Sequence, residues 1–166
     1  MAKPVGWRNQ PARHSLASRG VKTGSHRGLV TGGGTRTSVY DFLWKHASAA
    51  YNREPDKGKW RKYIWWFDGV PPAFGRKLIT EHPNIIAPGS NHNDSPTAKE
   101  IVELTERYNG EINGYAIPPE SGRDDSRVTF DGFVIRTDEA TARKLQDQLK
   151  PDEFSPQNGG WRFWWD

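Results

Sequence analysis

The sequence predicts an α+β protein: a ferredoxin-like split βαβ sandwich, with an antiparallel sheet, helices on one face, an added N-terminal helix and an extended basic arm. Three observations predict it. From Lys62 onward the segments read in the order strand, helix, strand, strand, helix, strand. Residues 1–40 carry Lys3, Arg8, Arg13, Arg19, Lys22, Arg27 and Arg36 with no Asp or Glu, which is +7 in a chain of net charge +4. Residues 1–36 also lack a hydrophobic period and are broken by Gly6, Gly20, Gly24, Gly28 and the run Gly32-Gly33-Gly34.

These features assign residues 1–36 to a basic, glycine-rich arm and residues 37–166 to a single α+β domain. Within the arm, Ala12 to Arg19 can form one short helix, with Pro11 as its first residue and Gly20 just beyond it. The glycine run reads as a hinge. Thr37 to Asn52 follows as a helix with Ser38 as its cap. Its apolar stripe is Val39, Phe42, Leu43, Ala47, Ala50 and Tyr51.

Lys62 to Asp68 is aromatic and β-prone, and Gly69 and Pro71-Pro72 end it. Ala73 to Glu81 is a short helix stopped before Pro83, and residues 84–95 are loop. Pro96 to Asn109 carries a helix signature, with Ser95 as cap, Pro96 in the first position and Gly110 after the end. Ile112 to Ile117 and Val128 to Arg136 are strands joined by a polar hairpin loop. Asp138 to Leu149 is a helix with Ala142, Leu145 and Leu149 inward, and Pro151 ends it. Trp161 to Trp165 closes the chain as an aromatic strand. In a ferredoxin-like order the first and last strands are neighbours, which brings the two aromatic clusters side by side.

Composition limits the function classes. The 166 residues suit one domain plus an extension, and only 34% are hydrophobic. Eight Trp compensate for scarce aliphatics, since each can bury roughly 150–250 Å². The absence of Cys excludes disulfides, thiolate zinc sites and cysteine nucleophiles, and fits a reducing cytoplasm. No apolar run matches a signal peptide or the ~20 residues that span a bilayer, so a soluble cytoplasmic protein without a membrane partner is expected.

The cations of the arm, set among Gly, Ser and Thr, suit phosphate contacts that give salt-dependent affinity. Strand alternation groups Trp65 with Tyr63 and Phe67, and Trp161 with Phe163 and Trp165. Such rings are either core or a platform on which bases stack. The expected nucleic-acid-binding set is therefore Lys3, Arg8, Arg13, Arg19, Lys22, Arg27, Arg36, Trp65, Trp161 and Trp165. It implies a nonenzymatic nucleic-acid-binding or nucleoprotein component acting on DNA or RNA. An alternative from another class is an assembly module, such as a viral structural or host-inhibitory protein, using the same rings against a second copy or a protein partner. A third is a small hydrolase built on His92 and Asp94, which share the polar loop Asn91-His92-Asn93-Asp94. No histidine pair has zincin spacing, the glycine run lacks the Lys-Ser/Thr of a phosphate loop, and there is no Gly-x-Ser-x-Gly elbow. No catalytic set, metal or cofactor is implied.

Two resemblances accompany these readings. Thr129 to Arg136 (Thr-Phe-Asp-Gly-Phe-Val-Ile-Arg) resembles the third-strand signature of RNA-recognition-motif proteins, with Gly132-Phe133-Val134 matching its Gly-Phe-Val core. Asp131 stands where a stacking aromatic belongs, and Arg136 stands at the final aromatic position. Residues 6–23 look like leader segments of uncharacterised proteins from prokaryotic viruses and mobile elements, which implies an origin and no activity.

Overall fold

The computed structural model describes residues 33–47 and 64–166. Helix α1 (Gly33–Trp44) begins inside the glycine run, upstream of the expected cap at Ser38. Strand β1 (Trp65–Val70) leads into α2 (Pro72–Glu81), whose first residue is a proline with no amide hydrogen to satisfy. Helix α3 (Ala98–Arg107) starts later than its sequence signature suggested. Thr97 caps it, and its hydroxyl exchanges bonds with Glu100 in a capping box, so the expected cap Ser95 is left for another task. Strands β2 (Glu111–Ile117) and β3 (Arg127–Ile135) form the expected hairpin, with a short 3₁₀ turn at Pro119–Ser121 in its loop. Helix α4 (Glu139–Leu149) is capped by Asp138, as its sequence indicates.

An unexpected strand follows. β4 (Glu153–Gln157) pairs with β5 (Gly160–Trp164) across Asn158-Gly159, where both residues have positive φ of 51° and 72°. That is the chemistry of a two-residue hairpin turn. Pro156 is tolerated because β4 is an edge strand, where a missing amide hydrogen costs no ladder bond.

The five described strands form one antiparallel sheet in the order β1-β2-β3-β5-β4. The α+β class with an antiparallel sheet is borne out. The ferredoxin-like adjacency is not: β2 and β3 both lie between β1 and β5, so the aromatic clusters are not side by side. The reason is that β2 pairs directly with β1 and β3 follows it, so β5 reaches the sheet only on the outer side of β3.

Pairing register sorts the sheet into two faces. One face carries Trp65, Phe67, Val70, Ile112, Ala116, Val128, Phe130, Phe133, Ile135 and Phe163, all in the hydrophobic core with residues of α1, α2 and α3. Ala142 of α4 is also buried, while Leu145 and Leu149 pack against that core. Gly75 lets α2 lie close, since a Cβ there would sit 2.4 Å from Ile112 Cδ1. Residues 46 and 47 run along the outer edge of β1, with the Asp68 backbone amide donating to the His46 carbonyl at 2.9 Å.

The opposite face carries Trp66, Glu111, Asn113, Tyr115, Arg127, Thr129, Val134, Arg162 and Trp164 in matching rows. β3 contains one residue more than β2 needs. Asn113 pairs with Gly132 and Gly114 with Phe130, so Asp131 is a bulge.

Candidate functional site

The bulge aims the Asp131 carboxylate onto the face away from the helices, where the loop between α2 and α3 meets the sheet. That loop is anchored at several points. Val128 donates to the Ile85 carbonyl at 3.2 Å, Ala98 to Ser90 at 2.8 Å and Lys99 to Pro88 at 2.9 Å. Between these anchors His92 to Ser95 forms a tight turn. Ser95 donates to the His92 carbonyl at 2.9 Å across Asn93 and Asp94, whose φ values are 51° and 60°. Asn and Asp are the non-glycine residues that best accept such φ values, which is why a loop of this composition can turn here. The buried Ser95 hydroxyl accepts from the His92 amide at 3.2 Å and donates to the Pro96 carbonyl at 3.0 Å. Its role is thus to fix His92.

Held this way, His92 reaches the sheet. Its Nδ1 lies 2.6 Å from Asp131 Oδ1, and its Nε2 lies 3.1 Å from the Tyr115 hydroxyl. Thr129 donates to Asp131 Oδ2 at 2.6 Å, and Arg127 donates to the Tyr115 oxygen at 2.8 Å. Arg127 also pairs with Asp125, and Arg123 grips the same carboxylate in a two-point fork at 2.6 and 2.8 Å. The result is one continuous chain: Thr129, Asp131, His92, Tyr115, Arg127, Asp125, Arg123. Asp131 is 1% exposed and the His92 side chain 14%. From His92 the chain runs outward to the Arg127 and Arg123 guanidinium groups, whose side chains are 25% and 30% exposed.

Donor bookkeeping assigns the protons for a neutral imidazole. Arginine only donates, so the Tyr115 oxygen accepts from Arg127 and its own hydrogen points to His92 Nε2. Nδ1 then carries the hydrogen given to Asp131. A buried carboxylate is otherwise very costly, and Asp131 is compensated by two short bonds.

Electrostatics agrees with this assignment. Burial, assisted by the negative charge of Asp131 and opposed by Arg127, pushes the Tyr115 phenol up to about 12. The fork from Arg123, with help from Arg127 and against burial, holds the Asp125 carboxyl well below the usual carboxylate range. The Tyr115 shift has a consequence for stability. Because the folded value lies above the unfolded value of 10.0, the stabilisation is complete below pH 10 and is lost as pH rises towards 12. A loss on the order of 2 kcal/mol is expected across that window, given that one unit is worth about 1.4 kcal/mol. Urea unfolding at stepped alkaline pH measures it, and Tyr115→Phe should remove that component of the slope.

The sequence-predicted site residues fall elsewhere. Lys3, Arg8, Arg13, Arg19, Lys22 and Arg27 lie outside the described residues, and Arg36 is in the first half of α1. Trp65 and Trp165 are 1% and 2% exposed and belong to the core. Trp161 is half-buried and stacks on Phe154 at 5.2 Å with rings 4° from parallel. The three rings read as a stacking platform are thus core and core-edge rings, because they share the helix side of the sheet. The carboxylate partner of His92 is Asp131 rather than Asp94, which is exposed on its turn. Among the described residues no three His, Asp or Glu side chains are grouped to hold a metal ion. No described helix is long and apolar enough to cross a membrane.

No family model, curated protein or solved structure matches this chain.

Sequence reading gave no site role to Tyr115, Arg127 and Thr129, and marked Asp131 only as a departure from the RNA-recognition strand signature. One signal was present: Asp131 is a lone carboxylate inside the apolar run Phe-Asp-Gly-Phe-Val-Ile, a place where a charge is found only when it is paired.

Proposed function

We propose that this protein is a nucleic-acid-binding or nucleoprotein component whose basic N-terminal segment holds phosphates. The observation that carries this reading is charge segregation. Residues 1–40 hold seven cations and no anion, while the remainder of the chain is net −3. A polyanion is the partner such a segment fits best. Buried Trp65 and Trp165 remove the stacking role from the helix side of the sheet. Support for base contact comes from the opposite side, where Trp66 and Tyr115 lie 6.3 Å apart and the Arg127 guanidinium sits 5.7 Å from the Tyr115 centroid. An aromatic pair beside a guanidinium is the combination that takes one unstacked base and its phosphate. The likeness of residues 6–23 to mobile-element leader segments bears on origin alone, for which a host cytoplasm or virion is the proposed location.

Fluorescence anisotropy with labelled single-stranded DNA, single-stranded RNA and duplex DNA tests the reading over a salt series. For duplex DNA the slope of log K against log salt should approach about −0.9 for each cation engaged. Replacing Lys3, Arg8, Arg13, Arg19, Lys22 and Arg27 together by Gln should flatten that slope and weaken binding at least 100-fold at moderate salt. Undiminished binding by the substituted protein, or no binding by the native chain at low salt, overturns the proposal.

A further inference from the structure

The far-face network has the internal order of a nucleophile, its base, an orienting carboxylate and an anion anchor. Tyr115 points its hydroxyl at His92 Nε2 at 3.1 Å, and Asp131 holds Nδ1 at 2.6 Å. Thr129 fixes the other carboxylate oxygen at 2.6 Å, which leaves Asp131 one orientation. These distances are those within which a base removes the proton of a nucleophile. Arg127 donates to the same phenolic oxygen at 2.8 Å, so the oxygen has a cationic donor beside it when it loses its proton or leaves.

We propose that Tyr115, His92, Asp131 and Arg127 form a phosphodiester-transfer site, with Tyr115 as nucleophile, His92 as general base and then acid, Arg127 as anchor and Asp131 as a positioning residue. This goes beyond the binding reading and does not rest on it, since all four residues belong to the folded domain.

The substrate class follows from the anchor. Arg127 and Arg123 already share one anionic group, the Asp125 carboxylate, which Arg123 grips in a two-point fork and Arg127 meets through Nη1. Two guanidiniums converging on one anion beside a nucleophile match a phosphoryl group, whose oxygens accept from the same fork geometry. An uncharged ester needs no such pair. Asp125, at 35% side-chain exposure, is an internal anion that an incoming phosphate displaces.

In the first step the Tyr115 oxygen bonds to phosphorus while its proton passes to His92 Nε2. The bond from phosphorus to the leaving oxygen breaks, and that oxygen departs with the electron pair. His92, now a cation facing Asp131, gives its proton to the leaving alkoxide, or to solvent if the leaving group is a stable aryloxide. In the second step water attacks phosphorus and gives a proton to His92. The phosphorus–Tyr115 bond breaks, the phenolic oxygen keeps the pair beside Arg127, and it recovers a proton from His92. The sum is diester plus water to monoester plus alcohol.

The experiment uses the full chain with bis(4-nitrophenyl) phosphate, a diester with no nucleotide, so a failure of nucleic-acid binding does not affect the result. A burst of up to one equivalent of nitrophenolate is expected, with a nitrophenyl phosphate adduct mapped to Tyr115 by mass spectrometry. Tyr115→Phe, which keeps the ring, should abolish burst and adduct while circular dichroism is unchanged. His92→Gln should slow the burst at least 100-fold. Asp131→Asn should displace the ascending limb of the pH–rate profile, a shift that loss of packing alone does not produce. No release above buffer by the native chain, or release and adduct that survive Tyr115→Phe, overturns the proposal.

Discussion

Replacing Gly114 by alanine is expected to destabilise the fold by about 3 kcal/mol or more, the largest effect of any single methyl group in the sheet. Gly114 sits in mid-β2 between Phe67 of β1 and Phe130 of β3. A Cβ there would lie 1.9 Å from the Thr129 carbonyl oxygen, 3.0 Å from the Thr129 carbonyl carbon and 2.9 Å from Phe67 Cζ. The first two are backbone atoms next to the Asp131 bulge and cannot step aside without moving β3. The third belongs to a ring that meets Phe130 edge-on at 6.5 Å across the glycine. Urea unfolding followed by tryptophan fluorescence should show a midpoint far below that of the native chain. A loss under 1 kcal/mol would mean that β2 and β3 do not approach each other this closely.

Phe163→Ala is expected to cost about 3–5 kcal/mol, the range for emptying a fully buried aromatic site. Phe163 is fully buried and stands in the middle of a ladder of rings. Phe133 stacks on it at 4.8 Å, and Phe154 meets it edge-on at 5.1 Å. Removing the middle ring strips partners from both neighbours, and the sheet cannot close around the void because β3, β5 and β4 are fixed in register. Phe154→Ala, at the half-buried edge, should cost visibly less in the same unfolding assay.

Much of this fold could be read from residue order, and the exceptions have physical causes. The α4 boundaries follow from Asp138 and from the spacing of Ala142, Leu145 and Leu149. The cap of α3 was misplaced by two residues because Ser95-Pro96 and Thr97-Ala98 are both plausible starts locally. Burial of Ser95 under the His92 turn decides between them. β4 went unread because Pro156 argues against a strand. Yet Asn158-Gly159 is a strong hairpin signal, and an edge position removes the objection to proline. Trp65 and Trp165 could not be assigned from alternation alone, since alternation separates two faces without saying which one the helices cover.

The candidate site was less legible for a different reason. Its members come from three separated segments: the loop at His92, the strand at Tyr115, and the stretch from Arg123 to Asp131. No local spacing links them. His92 stood out because it lies in a polar loop, but its nearest acid in the sequence, Asp94, is exposed and makes no described bond to it. The partner that matters is 39 residues away and reaches His92 only because β3 carries an extra residue.

That extra residue also bears on how this protein can change over time. Phe130 and Phe133 are an odd number of positions apart, yet both lie on the helix side, because Asp131 reverses the parity of the strand between them. Removing Asp131 would restore strict alternation: Phe130 and Phe133 would stand two positions apart, and both would still face the helices. The ring ladder and the packed side of the sheet would keep their members. The outer side alone would change, because it would lose the carboxylate that meets His92. The packed side is thus indifferent to the extra residue, and only the outer network gives a reason to keep it.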